Sequence, residues 1–464
     1  MKYKCENCGF IHEGELFDGY ICPFCRSSLQ SFKLISKEEK VYNRVNIKSD
    51  NKCINRVLEK CINCGVCSKT CENIVGIKYG SEKCDGICIG CGQCLLTCPT
   101  GAITPKYCYK DVLAYINNKD YKVVAMTSPA VRVSLGDAFG YPKGSFIEGK
   151  MVSSLKALGF DYVFDTSFGA DLTSVEEAHE LYERIKQNKK GMFTSCCPSW
   201  VKYASIYHPK LIPNLSTCKS PIGMESSIIK EYFAPSENIP KEKLIIVAIV
   251  PCTSKKEEII NSDCDFALTT SELALMIREF NIDFKNLKDA EFDNIKGSSS
   301  GKIFGASSGV ALSVLRSLYH EITNKDLKEE EISIKEKDTY KEIKVKMDKY
   351  IVKALSVSTM KNLESILPII NEYDLIEVMN CDGGCISGGG QIIMPIVEKQ
   401  EIKKERNKSL FKQDKKPAVK YAYKNNVIIS LYEDYLKEND AIRKSLLHTT
   451  FKDQSYLLTK KEEK

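Results

Sequence analysis

The stretch LIIVAIVPCTSKKEE, residues 244–258, places a cysteine two positions after an apolar, largely β-branched run of seven residues. A continuous run of this kind predicts a strand that is buried on both faces, as in a parallel sheet. Similar runs at 123–126, 162–164 and 375–379 alternate with stretches of helical periodicity at 174–186, 271–280 and 311–321. This alternation predicts an α/β fold in which helices cover mostly parallel sheets.

Cysteines follow the predicted strands at the end where α/β proteins bind their ligands. The motifs are TSCCPSW (194–200), PCTSKKEE (251–258) and EVMNCDGGCISGGGQ (377–391). Four thiolates for one 4Fe–4S cluster could come from Cys197, Cys252, Cys381 and Cys385. Lys255 adds a cation beside this pocket, and the glycines of the last motif allow close backbone approach. A single cysteine after a strand would more often be a small buried apolar residue.

The composition describes a globular chain with an unusual amount of sulfur. Hydrophobic residues make up 43% of the 464 residues, but there are 22 cysteines and only five histidines. We expect a cytoplasmic protein without a membrane segment, because the longest apolar run is seven residues and no export signal begins the chain. In that compartment clustered C-x-x-C steps favour metal binding over disulfides. The net charge of +6 with dispersed acidic residues disfavours a nucleic-acid partner.

Residues 53–110 contain two near-copies of one cysteine pattern, the second of which ends in Cys98-Pro99. This is the run of bacterial two-cluster ferredoxins, where three close cysteines bind one 4Fe–4S cluster and the fourth binds the other. The first cluster is therefore assigned to Cys61, Cys64, Cys67 and Cys98. The second cluster is assigned to Cys88, Cys91, Cys94 and Cys71. Cys53 and Cys84 lie outside the pattern, and we interpret them as free cysteines.

Residues 1–35 form a separate small unit, followed by a polar linker at 36–52. Two C-x-x-C knuckles supply an S4 site for one tetrahedral metal through Cys5, Cys8, Cys22 and Cys25. The unit resembles the rubredoxin-like module, a one-iron electron carrier. Arg26 stands where rubredoxins usually have glycine, so both redox iron and structural zinc remain open.

The region from about 50 to 455 resembles the [FeFe]-hydrogenases. Besides the three cysteine motifs, the resemblance rests on SPAVRVSLGDAFG (128–140), GADLTSVEEAHEL (169–181), CKSP (218–221), IFGASSG (303–309) and SLLHTTF (445–451). It implies a domain of two α/β lobes at 118–455 that catalyses 2H⁺ + 2e⁻ ⇌ H₂. The implied cofactor is the H-cluster, a 4Fe–4S cubane joined through a cysteine to a two-iron unit with CO, cyanide and azadithiolate ligands.

The resemblance also assigns roles to single residues. Cys385 would bridge the cubane to the two-iron unit, and Lys255 would pair with a cyanide. The walls of the pocket would be Pro129, Ala130, Phe304 and Met379. The proton relay would run from Cys196 through Glu177, Ser216, Glu180 and Arg184, with Glu258 beside its inner part. Without the resemblance, the charged face made by Glu177, Glu180 and Arg184 would be taken for an ordinary solvated helix surface.

Three positions depart from the best-known members of the family: Val250 replaces methionine, Ile222 replaces glutamine and Ile392 replaces proline. We expect the changes at Val250 and Ile222 to alter the pocket around the two-iron unit. The implied partners are a ferredoxin- or rubredoxin-type electron carrier and the enzymes that mature the H-cluster. The alternatives are a sensory or bias-shifted slow hydrogenase and a non-enzymatic hydrogenase-like iron–sulfur protein. Segments 321–350 and 399–418, rich in Lys and Glu, are predicted to be solvated insertions.

Overall fold

The computed structural model describes residues 2–7, 10–22, 25–34, 44–78, 86–415, 417–436 and 440–459. Cys8, Cys84 and much of the predicted linker lie outside these residues. No helix in the described ranges is long and apolar enough to cross a membrane.

The strands follow one another along the whole chain. They are β1 (Lys2–Cys5), β2 (Ile11–Glu13), β3 (Phe32–Leu34), β4 (Ile54–Arg56), β5 (Ile103–Pro105), β6 (Lys122–Thr127), β7 (Tyr162–Asp165), β8 (Met192–Phe193), β9 (Leu244–Val250), β10 (Phe266–Thr269), β11 (Ile332–Glu336), β12 (Tyr340–Met347), β13 (Tyr350–Ser358) and β14 (Leu375–Met379).

The helices connect and cover these strands. They are α1 (Val66–Ile74), α2 (Tyr109–Asn117), α3 (Glu148–Leu158), α4 (Ser167–Lys186), α5 (Pro198–Tyr207), α6 (Pro221–Ile228), α7 (Ala234–Ser236), α8 (Lys255–Glu258), α9 (Thr270–Glu279), α10 (Ser299–Ile303), α11 (Gly309–Thr323), α12 (Met360–Ile366), α13 (Lys399–Gln413), α14 (Asn426–Leu431), α15 (Asp440–Leu447) and α16 (Tyr456–Thr459). A π-helical turn, Ile229–Phe233, joins α6 to α7.

The first large sheet is entirely parallel, with strand order β10-β9-β6-β7. Every residue of β9 is buried, which explains why its sequence is a continuous apolar run without alternation. Helices from the same part of the chain pack on both sides of this sheet and form two apolar clusters. The predicted α/β fold is therefore confirmed.

The second large sheet has the order β11-β12-β13-β14-β8 and is mixed. Strands β13, β14 and β8 are parallel, whereas β11, β12 and β13 form an antiparallel meander. The expectation of a solvated insertion at 321–350 is wrong, because β12 buries Ile343, Val345 and Met347 at alternate positions. Its lysines occupy the intervening positions, so high charge hid the two-residue period of a half-buried strand.

The segment 399–418 is also more than a solvated insertion. Helix α13 buries Ile402, Arg406 and Leu410, which recur at every fourth position. The Arg406 guanidinium lies 2.6 Å from a carboxylate oxygen of Asp137, and both groups are nearly inaccessible to solvent. This ion pair fixes the helix beside the turn that follows β6.

Helix α4 is the central helix for function, and it packs against α6, α10 and α11. Small residues allow the close approach. A Cβ atom on Gly169 would lie 2.2 Å from the Pro221 carbonyl oxygen, and one on Gly301 would lie 2.1 Å from the Ser167 carbonyl oxygen. Any side chain at either position would therefore push the helices apart.

The amino-terminal part is built from small elements. Strands β4 and β5 pair antiparallel beside α1, and β1 forms a three-stranded antiparallel sheet with β2 and β3. Lys69 of α1 donates a hydrogen bond to the Glu6 carbonyl oxygen at 2.9 Å, so the first unit contacts the cysteine-rich segment.

Candidate active site

The four cysteines of the late motifs meet at the carboxyl ends of strands from both large sheets. Cys197 caps α5 just after β8, and Cys252 lies between β9 and α8. Cys381 follows β14, and Cys385 begins a short 3₁₀ turn, Cys385–Ser387. All four line one cavity of about 80 Å³. The chain thus gathers residues that are up to 188 positions apart in sequence around one space.

The donor set fits a multi-iron cluster better than a single ion. A single tetrahedral metal draws its sulfur ligands to about 3.8 Å from one another, given metal–sulfur bonds of about 2.3 Å. No three of these four thiols lie within 4.8 Å of one another. Burial, followed by the charge of a neighbouring cysteine, raises the pKa of Cys197 to about 11 and that of Cys385 to about 12. Positive iron is therefore needed to hold these groups as thiolates.

The glycine run brings protein backbones together around the cavity. A Cβ atom on Gly388 would lie 2.2 Å from the Pro251 carbonyl oxygen, and one on Gly389 would lie 2.2 Å from the Cys91 carbonyl oxygen. Gly384 has a φ of +95°, which a side chain would strain. These glycines therefore let the Cys381–Cys385 loop approach both the loop after β9 and the ferredoxin-like segment.

The residues predicted to form the walls of the pocket all line this cavity. Pro129 and Ala130 come from the turn after β6, Phe304 follows α10, and Met379 ends β14. Gln391 donates hydrogen bonds to the Ala130 carbonyl at 3.0 Å and to the Cys385 carbonyl at 3.3 Å, which ties one wall to the last cysteine.

The three positions that depart from the best-known family members, Ile222, Val250 and Ile392, lie in different parts of the fold. Ile222 lines the cavity and presents an apolar side chain there. Val250 is buried in the apolar cluster on one side of the parallel sheet and is not among the residues that line the cavity, so its effect on the pocket stays a prediction. Ile392 packs against the cluster on the other side of that sheet.

Lys255 lies at the cavity with its charge paired. Its Nζ is 2.7 Å from Glu258 Oε2 and donates to the Cys196 carbonyl oxygen at 3.2 Å. Lys255, the predicted cation, and Glu258, the predicted carboxylate beside the inner part of the relay, are thus direct neighbours. The contact leaves the ammonium group at the edge of the cavity, where it can meet an anionic ligand.

The predicted relay residues form a connected path along α4. Glu177 Oε1 accepts a hydrogen bond from the Ser195 backbone N–H at 3.4 Å, and the Ser216 hydroxyl lies near enough to interact with the same carboxylate. Ser216 Oγ donates to Glu180 Oε2 at 3.4 Å. Glu180 Oε1 lies 2.8 Å from the Arg184 guanidinium. The two outer residues are partly exposed, whereas Glu177 is fully buried, so the path leads from interior to surface.

The inner end of the path is a thiol and a carboxyl that both tend to hold protons. Burial, and then the negative charge of Glu177, raises the pKa of the Cys196 thiol. Burial raises the pKa of Glu177 to about 8, and the charge of Glu180 adds to this effect. Cys196 lines the same cavity as Cys197. A carboxyl that titrates near neutral pH is suited to proton transfer.

Cysteines of the ferredoxin-like segment also converge in the predicted sets. Cys61, Cys64, Cys67 and Cys98 line one small cavity. The buried thiols of Cys91 and Cys94 are each close enough to Cys71 and Cys88 for their charges to interact. Cys53 is buried, and its thiol donates to Glu257 Oε2 at 3.5 Å, consistent with a free cysteine.

Gln93 links this segment to the main cavity and was not foreseen from the sequence. Its side-chain amide donates to the Cys381 thiol at 3.2 Å and to the Ser387 carbonyl at 2.8 Å. Thr253 Oγ1 donates to the Gly90 carbonyl at 2.6 Å in the same interface. The position of Gln93 between Cys91 and Cys94 could have suggested a contact with a cluster, but not with which one.

At the amino terminus, the described cysteines are arranged for one metal ion. The ligand atoms of Cys5, Cys22 and Cys25 lie within 4.8 Å of one another, and the Cys5 and Cys25 sulfurs are 3.5 Å apart. Cys8 lies outside the described residues. Arg26 has a φ of 60°, a conformation that favours glycine, so it keeps the expected turn despite its side chain.

Cysteine quartets, a connected path of acids and a ferredoxin-like segment in contact with the main cavity define an iron–sulfur oxidoreductase. Comparisons with known proteins identify the family within this class. Residues 121–389 match the family described as "Iron only hydrogenase large subunit, C-terminal domain", and 400–454 match "Iron hydrogenase small subunit". Residues 81–104 match a "4Fe-4S binding domain". The chain belongs to the iron-only hydrogenase family and is an enzyme of that family.

Individual relatives agree with this membership. The NADP-reducing hydrogenase subunit HndD of Solidesulfovibrio fructosivorans is 35% identical over 85% of this chain and 74% of its own length. Iron hydrogenase 1 of Clostridium pasteurianum is 33% identical over 85% of this chain and 75% of its own length.

Two further similar proteins have lower sequence identity to this chain. A solved structure of a variant of the [FeFe]-hydrogenase HydA1 from Chlamydomonas reinhardtii has a TM-score of 0.67 and 28% identity, covering 74% of this chain and 98% of that one. The cytosolic Fe-S cluster assembly factor narfl of Danio rerio is 26% identical over 72% of this chain and 88% of its own length.

Proposed function

We propose that this chain catalyses 2H⁺ + 2e⁻ ⇌ H₂ in both directions, in the cytoplasm. The observation that carries the proposal is the convergence of two systems on one cavity. Four thiols suited to an iron–sulfur cluster and a connected path of titratable side chains both reach it. Dihydrogen chemistry needs electrons and protons at the same place, so the pairing is chemically specific.

Cys197, Cys252, Cys381 and Cys385 would hold the H-cluster, with Cys385 shared between its two parts. When bound, this group supplies the iron at which protons and electrons combine. Lys255 orients an anionic ligand of the group through its ammonium charge. Pro129, Ala130, Phe304 and Met379 exclude water from the remaining faces of the cavity.

The protein's own part in proton transfer is the path from Cys196 to Arg184. The Cys196 thiol holds a proton beside the cavity, and Glu177 receives or returns it. Ser216 carries it between Glu177 and Glu180 by exchanging its hydroxyl hydrogen. Arg184 keeps the Glu180 carboxylate in place at 2.8 Å, near the surface. Glu180 lies within hydrogen-bond reach of both Ser216 and Arg184, as general acid–base chemistry requires, and Cys196 is near enough to Glu177 for their charges to interact.

Electrons would enter through the ferredoxin-like segment at 53–110 and end at the hydrogenase domain at 118–455. The hydrogen bond from Gln93 to the Cys381 thiol supports this route, because it joins the second predicted cluster to a proposed ligand of the main one. The metal site at 1–35 adjoins α1 through Lys69, so it could pass electrons to the first cluster. A ferredoxin- or rubredoxin-type carrier would donate from outside, and maturation enzymes would install the two-iron unit.

A non-enzymatic role in iron–sulfur cluster assembly is the second candidate, because one relative of that kind matches most of the chain. The connected path through Glu177, Ser216 and Glu180 favours the enzyme, since cluster assembly has no use for a buried proton path. A slow, sensory or bias-shifted enzyme would keep the same path and differ in rate, which Ile222 could influence.

The test is a pair of cysteine substitutions in the matured, full-length protein. Cys385→Ala removes a proposed ligand, whereas Cys264→Ala removes a buried cysteine whose thiol lies within hydrogen-bond distance of two backbone carbonyls, those of Phe266 at 3.2 Å and Ile246 at 3.6 Å. We expect the first variant to lose H₂ production from a reduced viologen and H₂ oxidation together, and the second to keep both. Absence of turnover in the matured wild-type protein would favour the assembly role.

A further inference from the structure

Asn380 carries an unpaired side chain at the cavity. It stands between Met379 and Cys381, is 1% exposed and lines the space that the four cysteines surround. Neither its Oδ1 nor its Nδ2 atom has a hydrogen-bond partner among the described residues. Its backbone N–H, by contrast, is directed to the Cys197 thiol.

A buried carboxamide without any partner is rare in proteins, because it loses its hydrogen bonds to water and gains none in return. Two other carboxamides near the cavity are hydrogen-bonded, as buried carboxamides usually are. Gln93 donates to the Cys381 thiol and to a carbonyl, and Gln391 donates to two carbonyls. Since no described residue pairs with the Asn380 side chain, the occupant of the cavity is left as its partner.

We infer that the side-chain amide of Asn380 donates a hydrogen bond to a sulfur of the 4Fe–4S cubane and so raises its reduction potential. This inference rests on the proposed function, since it takes Cys197, Cys252, Cys381 and Cys385 as the ligands. A cubane offers only acceptors, its sulfides and thiolates, and this decides that the NH₂ group rather than the carbonyl faces it. Hydrogen bonds to sulfur favour the more negative, reduced cluster.

Two substitutions separate the donor from the shape of the side chain. Asn380→Leu keeps the volume approximately and removes the donor, and Asn380→Asp keeps the shape and replaces the donor with an acceptor. Gln93→Leu is the positive reference, because its bond to a ligand sulfur is observed at 3.2 Å. Asn362→Leu is the control, since Asn362 pairs with the Ser358 carbonyl at 2.9 Å and does not line the cavity.

The measurement is infrared spectroelectrochemistry of the matured, full-length protein. CO and cyanide bands arise only from the two-iron unit and shift when the attached cubane takes up an electron. We expect the midpoint of this shift to move to more negative potential in Asn380→Leu and Gln93→Leu, and further in Asn380→Asp. The Asn362→Leu midpoint should stay at the wild-type value. An unchanged midpoint in both Asn380 variants would overturn the inference.

A second measurement does not depend on how the variants fold. Wild-type protein grown with asparagine labelled with ¹⁵N in the side chain should show a nitrogen coupling to the reduced cubane in pulsed electron paramagnetic resonance. Absence of that coupling would overturn the inference even if no variant assembled its clusters. A wild-type protein without CO and cyanide bands would instead contradict the proposed function.

Discussion

At the scale of single residues, neighbouring positions in one motif carry different tasks. Cys196 and Cys197 are adjacent, and both line the cavity. Consecutive side chains in an extended segment point in different directions, so two adjacent cysteines are poorly placed to bind the same cubane together. Cys197 is the N-cap residue of α5, and its thiol meets the Asn380 backbone N–H. Cys196 instead lies near Glu177, at the head of the proposed proton path.

Substitution of Cys196 tests its place at the head of that path. We expect Cys196→Ala to keep its iron content and its CO and cyanide bands but to lose at least about 100-fold in H₂ turnover, the usual scale of one acid–base group. Cys196→Asp should recover part of the rate, because it restores an acid at a similar distance. Loss of the H-cluster in the alanine variant would make Cys196 structural, and near wild-type turnover would require another proton route.

Glu177 should leave a mark on stability as well as on turnover. Its pKa is about 8 in the folded protein and 4.5 in its ordinary setting, so between these values the folded state binds a proton that the unfolded state has lost. The free energy of unfolding therefore falls as pH rises from about 4.5 to about 8. Glu177→Gln removes this loss, so its gain in melting temperature over wild type should grow from pH 5 to pH 8.

The control for this measurement lies on the same helix. Glu183→Gln changes an exposed carboxylate whose pKa is lowered by hydrogen bonding to Lys186. It should show no such gain above pH 5. An equal effect of pH on wild type and Glu177→Gln would mean that Glu177 ionises normally.

At the scale of elements, some parts could be predicted from the sequence and others could not. The bounds of β9 and β14 agree with the apolar runs at 244–250 and 375–379, because a fully buried strand needs no alternation. The sequence does not predict the meander of β11, β12 and β13, because lysines alternate with the buried residues of its middle strand, β12. The local hydrophobic pattern is sufficient to predict strands that are buried on both faces. It fails for a strand that has one charged face.

In the candidate site, too, some features could be predicted from the sequence and others could not. Motifs and the family resemblance identified the residues that line the cavity, because their chemistry is visible in the residue types. The contacts of Gln93 and the unpaired amide of Asn380 depend on how two distant segments meet. Val250 shows the converse, since a position next to a motif need not reach the site.

The amino-terminal element gives a prediction about metal content. The full-length protein made without maturation enzymes should hold about twelve irons in three 4Fe–4S clusters, plus one metal at Cys5, Cys22, Cys25 and the remaining knuckle cysteine. If that metal is iron, Cys22→Ser should remove the visible absorption of a ferric tetrathiolate from the spectrum. Zinc in protein from iron-replete cells would indicate a structural site, and only two cubanes would contradict the assignment of Cys197 and its partners.

At the scale of the whole molecule, the proposed metal sites are connected by contacts that lead to one cavity. The first unit touches α1, the ferredoxin-like segment touches the Cys381–Cys385 loop through Gln93, and the proton path approaches along α4. In the proposed function, electrons and protons would therefore have separate approaches that meet at the cavity. This separation is what an enzyme that couples them needs.

The most direct test of this account is an infrared spectrum of the full-length protein after maturation, recorded with H₂ turnover on the same sample. The account predicts CO and cyanide stretching bands that accompany turnover and that disappear together with it in Cys385→Ala. A matured protein that holds its cubanes but shows neither these bands nor turnover would contradict it, and would place the chain with the non-enzymatic iron–sulfur proteins.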